Sequence, residues 1–205
     1  MNFNSQQLTA LLVAISFAAG LNVYATIATL GLLDRFDVLA LPASLDILTS
    51  WYVIGICAVL FVIEFIADKI PAFDLVWNAL HTFVRVPVAA LIAYHATAAL
   101  PAWEQLAVTF AGGLIALAAH GGKIAARTVV TPSPEPLSNT ALSLGEDAFV
   151  VFLCWFATQH PYWAAAVVAV LLFIIVLLIR WVVQALRMLF RGAEREVIGN
   201  SGTSP

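Results

Sequence analysis

Charged side chains are scarce in this 205-residue chain: they make up 10% of the residues, against 62% hydrophobic residues. A water-soluble domain carries about a quarter charged residues, so this composition, with a mean hydropathy of +0.98, excludes that class. The nine basic and twelve acidic residues are scattered, and the formal charge of -3 offers no basic surface to nucleic acid. We therefore expect an integral membrane protein that contacts membrane lipid and does not bind nucleic acid.

Cysteine is also scarce. The two cysteines, Cys57 and Cys154, both lie inside apolar runs. Two separated thiols form neither a disulfide framework nor a cysteine-rich metal site. We expect both cysteines to pack within the membrane, and nothing in the sequence calls for a cofactor.

Apolar segments of about 20 residues, the length of a membrane-spanning helix, divide the chain into six spans. We expect an all-α protein whose single transmembrane domain covers residues 1–195, followed by a polar, disordered tail at residues 196–205. Pro71 should open one span, and Pro87 should kink it. The predicted spans are about residues 8–33, 47–66, 71–99, 105–127, 138–159 and 163–189.

The basic residues predict the orientation, because Lys and Arg near the ends of spans stay on the cytoplasmic side. With six spans, one side of the membrane receives all of the basic residues except Arg35. We therefore expect both termini in the cytoplasm. Four tryptophans fall near the opposite boundary, where indole rings favour the headgroup region: Trp51, Trp103, Trp155 and Trp163.

A short motif recurs in the two halves of the chain. The sequence SFAAGL at 16–21, in the first span, is matched by TFAGGL at 109–114, in the fourth. Three spans per half is an odd number, so a true repeat would place the halves in opposite orientations, as in many secondary transporters. We predict two inverted repeats at about 8–100 and 101–190. The alternative is that these small residues only let helices approach closely.

Polar residues inside the predicted spans line up on helix faces, at spacings of three and four residues, in the cytoplasmic half. Such residues are costly in lipid, so they mark the candidate functional site. They are Asp74, Asn78, His81 and Arg85 in the third span, His120, Lys123 and Arg127 in the fourth, and Asn139, Ser143, Glu146 and Asp147 in the fifth.

Glu146 and Asp147 lie roughly 10 to 13 Å inside the start of the fifth span, and Arg85 and His120 lie about as deep. Buried carboxylates need partners, so we predict a cluster of both acids with Arg85, His120 and Lys123. One acid could hold a proton near neutral pH, because adjacent acids share the cost of burial unequally. The alternative is a purely structural ion-pair network.

Three further polar residues could contribute to such a site. His81 could join a proton relay, whereas Asn22 and Asn139 could supply polar contacts to a solute. The basic residues beside the acids would also suit a phosphate or carboxylate on a small solute or lipid.

A hard divalent cation is a different ligand that the carboxylates could hold, since it prefers oxygen ligands. The candidate metal ligands are Glu64, Asp68 and Asp74. Their spacing matches no metal-binding loop, so the sequence gives no identity for such a metal.

The stretch from Thr131 to Asn139 (TPSPEPLSN) cannot be helical at its centre because of its prolines. It could form a re-entrant turn, which would mark a cavity at membrane depth. The alternative is an exposed loop that proline makes stiff.

Four stretches carry a resemblance to a known family: AGLNVYAT at 19–26, EFIADKIPAFDLVWN at 64–78, HGGKIAARTVVTPSPEPLSN at 120–139 and LGED at 144–147. The chain resembles, over about residues 8–185, the bacterial family of small multi-pass membrane proteins named domain of unknown function 4126. The resemblance implies a membrane location and a single repeated unit. We expect that membrane to be the bacterial cytoplasmic (inner) membrane. The resemblance implies no substrate, reaction or catalytic residue.

These features predict a small transporter or channel with a buried polar site, open to the cytoplasm between the third, fourth and fifth spans. Glu146 and Asp147 would couple ions or protons. One alternative is a membrane-embedded enzyme acting on a lipid headgroup, but no Ser/His/Asp, HExxH or phosphate-loop pattern supports it, so we do not expect an enzyme. Another is a structural or assembly subunit. A protein of this size could form a homodimer to enclose a pathway for a small solute or ion.

Overall fold

The structure, a computed structural model, describes residues 3–67, 71–130 and 136–201; for 71–76, 128–130, 136–139, 186 and 189–201 it describes the backbone alone. Every regular element in these ranges is helical, which confirms the all-α prediction. The elements are α1 (Ser5–Leu21), α2 (Val23–Arg35), a 3₁₀ segment (Ala43–Thr49), α3 (Trp51–Ala67), α4 (Pro71–Ala96), α5 (Ala102–Val130), α6 (Pro136–Gln159) and α7 (Pro161–Ser201).

Several of these helices can cross a membrane. Within the described ranges, four are long and apolar enough: α4, α5, α6 and α7. The 3₁₀ segment and α3 together make a fifth candidate, although their axes differ by 59°. The prediction of a multi-pass membrane protein is therefore confirmed at this level, while six spans are not confirmed. The difference lies in the first apolar run.

That first run is broken at Asn22, whose backbone is extended between α1 and α2. Beyond the break the chain turns back. The Leu41 backbone N–H donates to Asp34 Oδ1 at 2.7 Å, and Leu41 lines a cavity together with Leu8 and Leu11. A straight helix would separate Leu11 from Asp34 by about 34 Å, so α2 must return towards the end of the bundle at which α1 begins.

Contacts of α2 with α3 support this direction. Gly31 of α2 packs against Ile54 of α3, while Arg35 donates to the Thr49 carbonyl at 3.2 Å and stacks over the Trp51 ring. The end of α2 therefore lies beside the beginning of α3. The two short helices form a helical hairpin, with its tip at Asn22, inside the bundle.

The centre of the bundle is α1, which packs against α2, α4, α5, α6 and α7 and is buried almost continuously from Ala10 to Leu21. Small residues permit this packing. A Cβ atom added at Gly20 would overlap the backbone of Ala116 in α5, and one added at Gly112 would crowd the Ser16 side chain. The core is therefore built around close contacts between the backbones of α1 and α5.

The same contacts bear on the predicted repeat. Ser16 lies against Gly112, and Gly20 against Ala116, so the two similar motifs pack side by side in the same direction. An inverted repeat would place these helices in opposite directions across the membrane. Inverted repeats are therefore not confirmed, and the small residues are explained by close helix packing.

The bundle has two ends, which we name after the residues that lie there: the Ser5 end, where α1 begins, and the Ala67 end, where α3 finishes. Trp103 lies at the Ser5 end, because it lines a cavity with Ser5. The 3₁₀ segment lies there too, and its Ser44 donates to the His95 carbonyl. The Ala67 end holds the beginning of α4 and the last turns of α5. Since α7 begins beside the end of α6 and passes Gly122 of α5 at Ile175, it runs from the Ser5 end to the Ala67 end. This geometry does not support termini on one side of the membrane.

Candidate functional site

Arg85 of α4 and Glu64 of α3 form an ion pair in the interior of the bundle. One Nη atom of Arg85 donates to Glu64 Oε1, and both side chains are 0% exposed. Glu64 is the one acidic residue of an otherwise apolar α3. Charges so buried are stable only when paired, because desolvation of a lone charge costs several kcal/mol.

His120 of α5 lies on the other side of Arg85. The second Nη of Arg85 is 2.7 Å from His120 Nδ1. Because a guanidinium group can only donate, Nδ1 must carry the lone pair and His120 is the neutral Nε2–H tautomer. Its Nε2 lies 3.1 Å from the Asn78 carbonyl and 2.8 Å from Thr82 Oγ1, which can accept that hydrogen.

Two more cations continue the arrangement towards the Ala67 end. Lys123 Nζ lies 3.8 Å from Glu64 Oε1 and 3.4 Å from Glu146 Oε2 of α6. Arg127 donates to the same Glu146 oxygen at 3.2 Å. We call these five residues the ion network: Glu64, Arg85, Lys123, Arg127 and Glu146. It joins α3, α4, α5 and α6.

Asp147, next to Glu146 on α6, faces the tip of the α1–α2 hairpin. Asn22 Nδ2 donates to Asp147 Oδ1 at 3.0 Å, and Asn22 Oδ1 accepts the Ala25 backbone N–H, capping α2. The Asn22 side chain thus stabilises both the helix break and the buried acid. Through the adjacent pair Glu146 and Asp147, α6 connects the ion network to the helix break.

Asp147 also lines a groove of about 680 Å³ between α3 and α6. The groove walls are mostly aromatic and aliphatic. They include Phe61 and Phe65 from α3, and Phe152 and Trp155 from α6. Asp147 is therefore an acid that lines an apolar groove on the side of the bundle.

His81 of α4 is held by a separate set of contacts. Its Nδ1 donates to the Trp77 carbonyl at 2.8 Å, and its Nε2 lies 2.9 Å from the Tyr24 hydroxyl of α2. The ring also stacks on the Trp77 indole, with 4.3 Å between centroids. His81 therefore links α4 to the hairpin and makes no direct contact with Arg85 or His120 among the described interactions.

The structure brings together four of the candidate site residues: Arg85, His120, Lys123 and Glu146. Asp147 and Asn22 meet each other instead, and Arg85 pairs with Glu64 where we expected Glu146 or Asp147. The side chain of Asn139 lies outside the described residues.

The candidate metal ligands are not assembled in the part of the chain that is described. Glu64 faces Arg85 and Lys123, whereas Asp68 and the side chain of Asp74 lie outside the described residues. No group of three or more His, Cys, Asp or Glu side chains there could hold a metal ion.

Sequence reasoning did not place Glu64 and Arg127 in the predicted cluster, and it missed Tyr24 and Thr82. Arg127 had a usable signal, since it follows Lys123 by one helical turn and shares its face. Glu64 had one too, as a lone acid in an apolar helix. Tyr24 and Thr82 had no distinguishing signal, because their roles depend on the path of α2 and on the packing of α4 on α5.

A family model matches residues 9–181 of the chain, which is most of its length. The family is described as a domain of unknown function, DUF4126. The chain belongs to this family. No curated protein and no solved structure matches the chain. The residues matched to DUF4126 include the whole ion network and the helix break at Asn22. They also include His81 of α4 and His120 of α5, which contact neighbouring helices.

Proposed function

We propose that this DUF4126 protein is a small membrane transporter or channel, and that the ion network together with the adjacent Asp147 is its coupling site. The observation that carries the proposal is the arrangement of buried charges. Five charged side chains join four helices inside a bundle of apolar helices, and one of them neighbours the acid at the helix break. Ionisable residues at membrane depth are costly, and in membrane proteins they mark ion and solute pathways.

The helix break supports the same proposal. Transporters commonly place their sites where a membrane helix is discontinuous, because the half-helix ends supply polar backbone groups inside the bilayer. Here the break is capped by Asn22 and faces Asp147. A change in the charge of Asp147 would therefore act directly on the hairpin tip.

We further propose the bacterial cytoplasmic membrane as the location, with the Ala67 end of the bundle in the cytoplasm. Arg127 lies at this end and Arg187 is on the last part of α7, whereas Arg35 is at the Ser5 end. This distribution follows the positive-inside rule. A homodimer in lipid would let two copies enclose a pathway for a small solute or ion, since the groove at Asp147 is open on one side.

The experiment that tests the proposal is proton and ion flux in proteoliposomes, with a pH-sensitive dye and capacitive current recorded together. The native protein is compared with Glu146→Gln and Asp147→Asn. Glu104→Gln is the matched control, because Glu104 lies in the first turn of α5 at the other end of the bundle. We expect the native protein to show flux and the Glu146→Gln and Asp147→Asn variants to lose at least about tenfold of it. The Glu104→Gln control should retain the flux of the native protein.

Equal flux in all four proteins would exclude the carboxylates as the coupling site. Absence of flux from the native protein under proton, sodium and potassium gradients would overturn ion coupling. In that case the folding of the variants decides what remains: if both unfold, the ion network is a structural element of an assembly subunit.

A further inference from the structure

We propose that His120 Nδ1 is a proton-binding site, and that the proton and the Arg85 guanidinium occupy it in exchange. The inference rests on the proposed function in one respect, since it names the proton as the coupling ion. It is carried by three observations: the contact between Arg85 and His120, the spare hydrogen-bonding groups of Arg85 and Glu64, and the position of Lys123.

The contact observed in the structure excludes a proton from Nδ1. Arg85 donates to this nitrogen, and the Nε2 hydrogen of His120 is directed at the Asn78 carbonyl and Thr82 Oγ1. Two N–H groups cannot face each other at 2.7 Å. A proton from water can form an N–H bond at Nδ1 only after Arg85 withdraws from it.

Arg85 has a second arrangement within reach. Its Nε and the Glu64 Oε2 atom are both buried, and neither has a hydrogen-bond partner in the part of the chain that the structure describes. Arg85 and Glu64 are already joined through the other Glu64 oxygen. A side-on, bidentate pair would use both spare groups together with the Nη that already contacts Glu64. It makes no use of the other Nη, so Arg85 could keep both bonds to Glu64 after this Nη leaves His120. The unpaired atoms of the observed state are therefore satisfied in the alternative state.

The groups that face His120 allow such an exchange. From α4, Arg85 contacts His120, and His81 lies one turn away on the same helix. Glu64 of α3 lies behind Arg85, Lys123 is on α5 itself, and Glu146 of α6 contacts Lys123. The neighbouring α1 has no charged residue, and α7 meets α5 beside His120 with Ile175 and Ile179. Among the residues that the structure describes, Arg85 is the one hydrogen-bond partner of Nδ1.

Movement of Arg85 would also reach α6. Lys123 shares Glu64 Oε1 with Arg85 and contacts Glu146 with the same ammonium group. If Arg85 occupies both oxygens of Glu64, Lys123 is left closer to Glu146 alone. The arrival of one proton at His120 therefore shifts charge towards Glu146, which adjoins the acid at the helix break.

The test is a pH titration by solid-state NMR of the protein in lipid bilayers, with ¹⁵N-labelled histidine and arginine. The signal of His120 is assigned by its loss in His120→Gln, and the Nε signal of Arg85 by its loss in Arg85→Lys. At neutral pH we expect His120 to be neutral with the hydrogen on Nε2. On acidification we expect His120 to gain a proton and the Arg85 Nε signal to shift at the same pH.

Two variants sharpen the titration. Glu64→Gln removes the charged partner of the alternative state, so the pH at which His120 is protonated should fall by about one unit or more. His95→Gln is the matched control, because His95 is exposed at the Ser5 end, and it should leave the His120 titration unchanged. The one expected change in the spectrum of this variant is the loss of the His95 signal.

Three results would overturn the proposal: an Nδ1–H tautomer at neutral pH, protonation of His120 without a shift of the Arg85 signal, or a titration that Glu64→Gln does not move. The NMR measurement requires no flux. If His120 and Arg85 titrate together but the proteoliposomes show no flux, ion transport is rejected and the proton exchange stands. If the proteoliposomes show flux but His120 and Arg85 do not titrate together, the proton exchange is rejected and ion transport stands.

Discussion

At the scale of single residues, Gly20 determines how closely α1 and α5 approach. An added Cβ would overlap the Ala116 carbonyl oxygen and the Ala119 side chain, and backbone cannot move aside cheaply. We expect Gly20→Ala to lower the free energy of unfolding by about 1 to 3 kcal/mol, the usual cost of overpacking a filled core. The measurement is unfolding by SDS titration in mixed micelles, followed by circular dichroism.

Gly55→Ala in α3 is the matched control. No atom lies within 4 Å of its added Cβ, and alanine is favoured over glycine in a helix by about 1 kcal/mol. The control should therefore be neutral or slightly stabilised. Equal stability of the two variants would mean that α1 and α5 are further apart than the structure has them.

Part of the site could be predicted at this scale. Helical spacing alone placed Arg85 on one face of α4, and His120 and Lys123 on one face of α5, and the structure brings these faces together. The acid that pairs with Arg85 could not be predicted. Glu64 reaches Arg85 because α3 lies alongside α2, and that position depends on the turn at Asn22, which no local pattern in the sequence fixes.

At the scale of elements, the α1–α2 hairpin depends on Asn22. Its side chain caps α2 and donates to the buried Asp147 carboxylate. We expect Asn22→Ala to lose the cap, worth about 1 kcal/mol, and a further 1 to 3 kcal/mol, roughly, from the lost hydrogen bond to a buried acceptor. The measurement is the same SDS unfolding titration.

The chain supplies its own control for the cap. Asn4 caps α1 with its side chain, accepting the Gln7 backbone N–H at 2.8 Å, but it is exposed and far from the ion network. Asn4→Ala should cost the cap alone. If Asn22→Ala costs no more than Asn4→Ala, the contact between the hairpin tip and Asp147 contributes nothing to stability.

The break itself shows what the sequence could and could not indicate about this element. Residues 8–33 are apolar and contain no proline, so they satisfy the requirements of a spanning helix. Asparagine is a common N-cap, and Asn22 was the one polar amide in the run. Helix propensity cannot say whether the chain continues or turns back at such a residue, because tertiary contacts of α2 with α3 decide the direction.

At the scale of the whole molecule, this turn decides how many times the chain crosses the membrane. If residues 8–33 spanned the bilayer, as the sequence predicts, Gln6 and Ala43 would lie on opposite sides, and Gln6 would share a side with Arg187. In the structure Gln6 and Ala43 are both at the Ser5 end, while α7 carries Arg187 towards the other end. The two topologies therefore differ in whether Gln6 lies on the same side of the membrane as Ala43 or on the same side as Arg187.

Cysteine labelling distinguishes these topologies. Gln6, Ala43 and Arg187 are exposed, whereas the native Cys57 and Cys154 are buried and give little background. We expect Gln6→Cys and Ala43→Cys to react with a membrane-impermeant maleimide from one side of oriented vesicles, and Arg187→Cys from the other. Ala98→Cys, between α4 and α5, should react with the first pair and marks the Ser5 end. Reaction of Gln6→Cys on the side of Arg187→Cys would reject the hairpin, because a first helix that crosses the membrane would then separate Gln6 from Ala43.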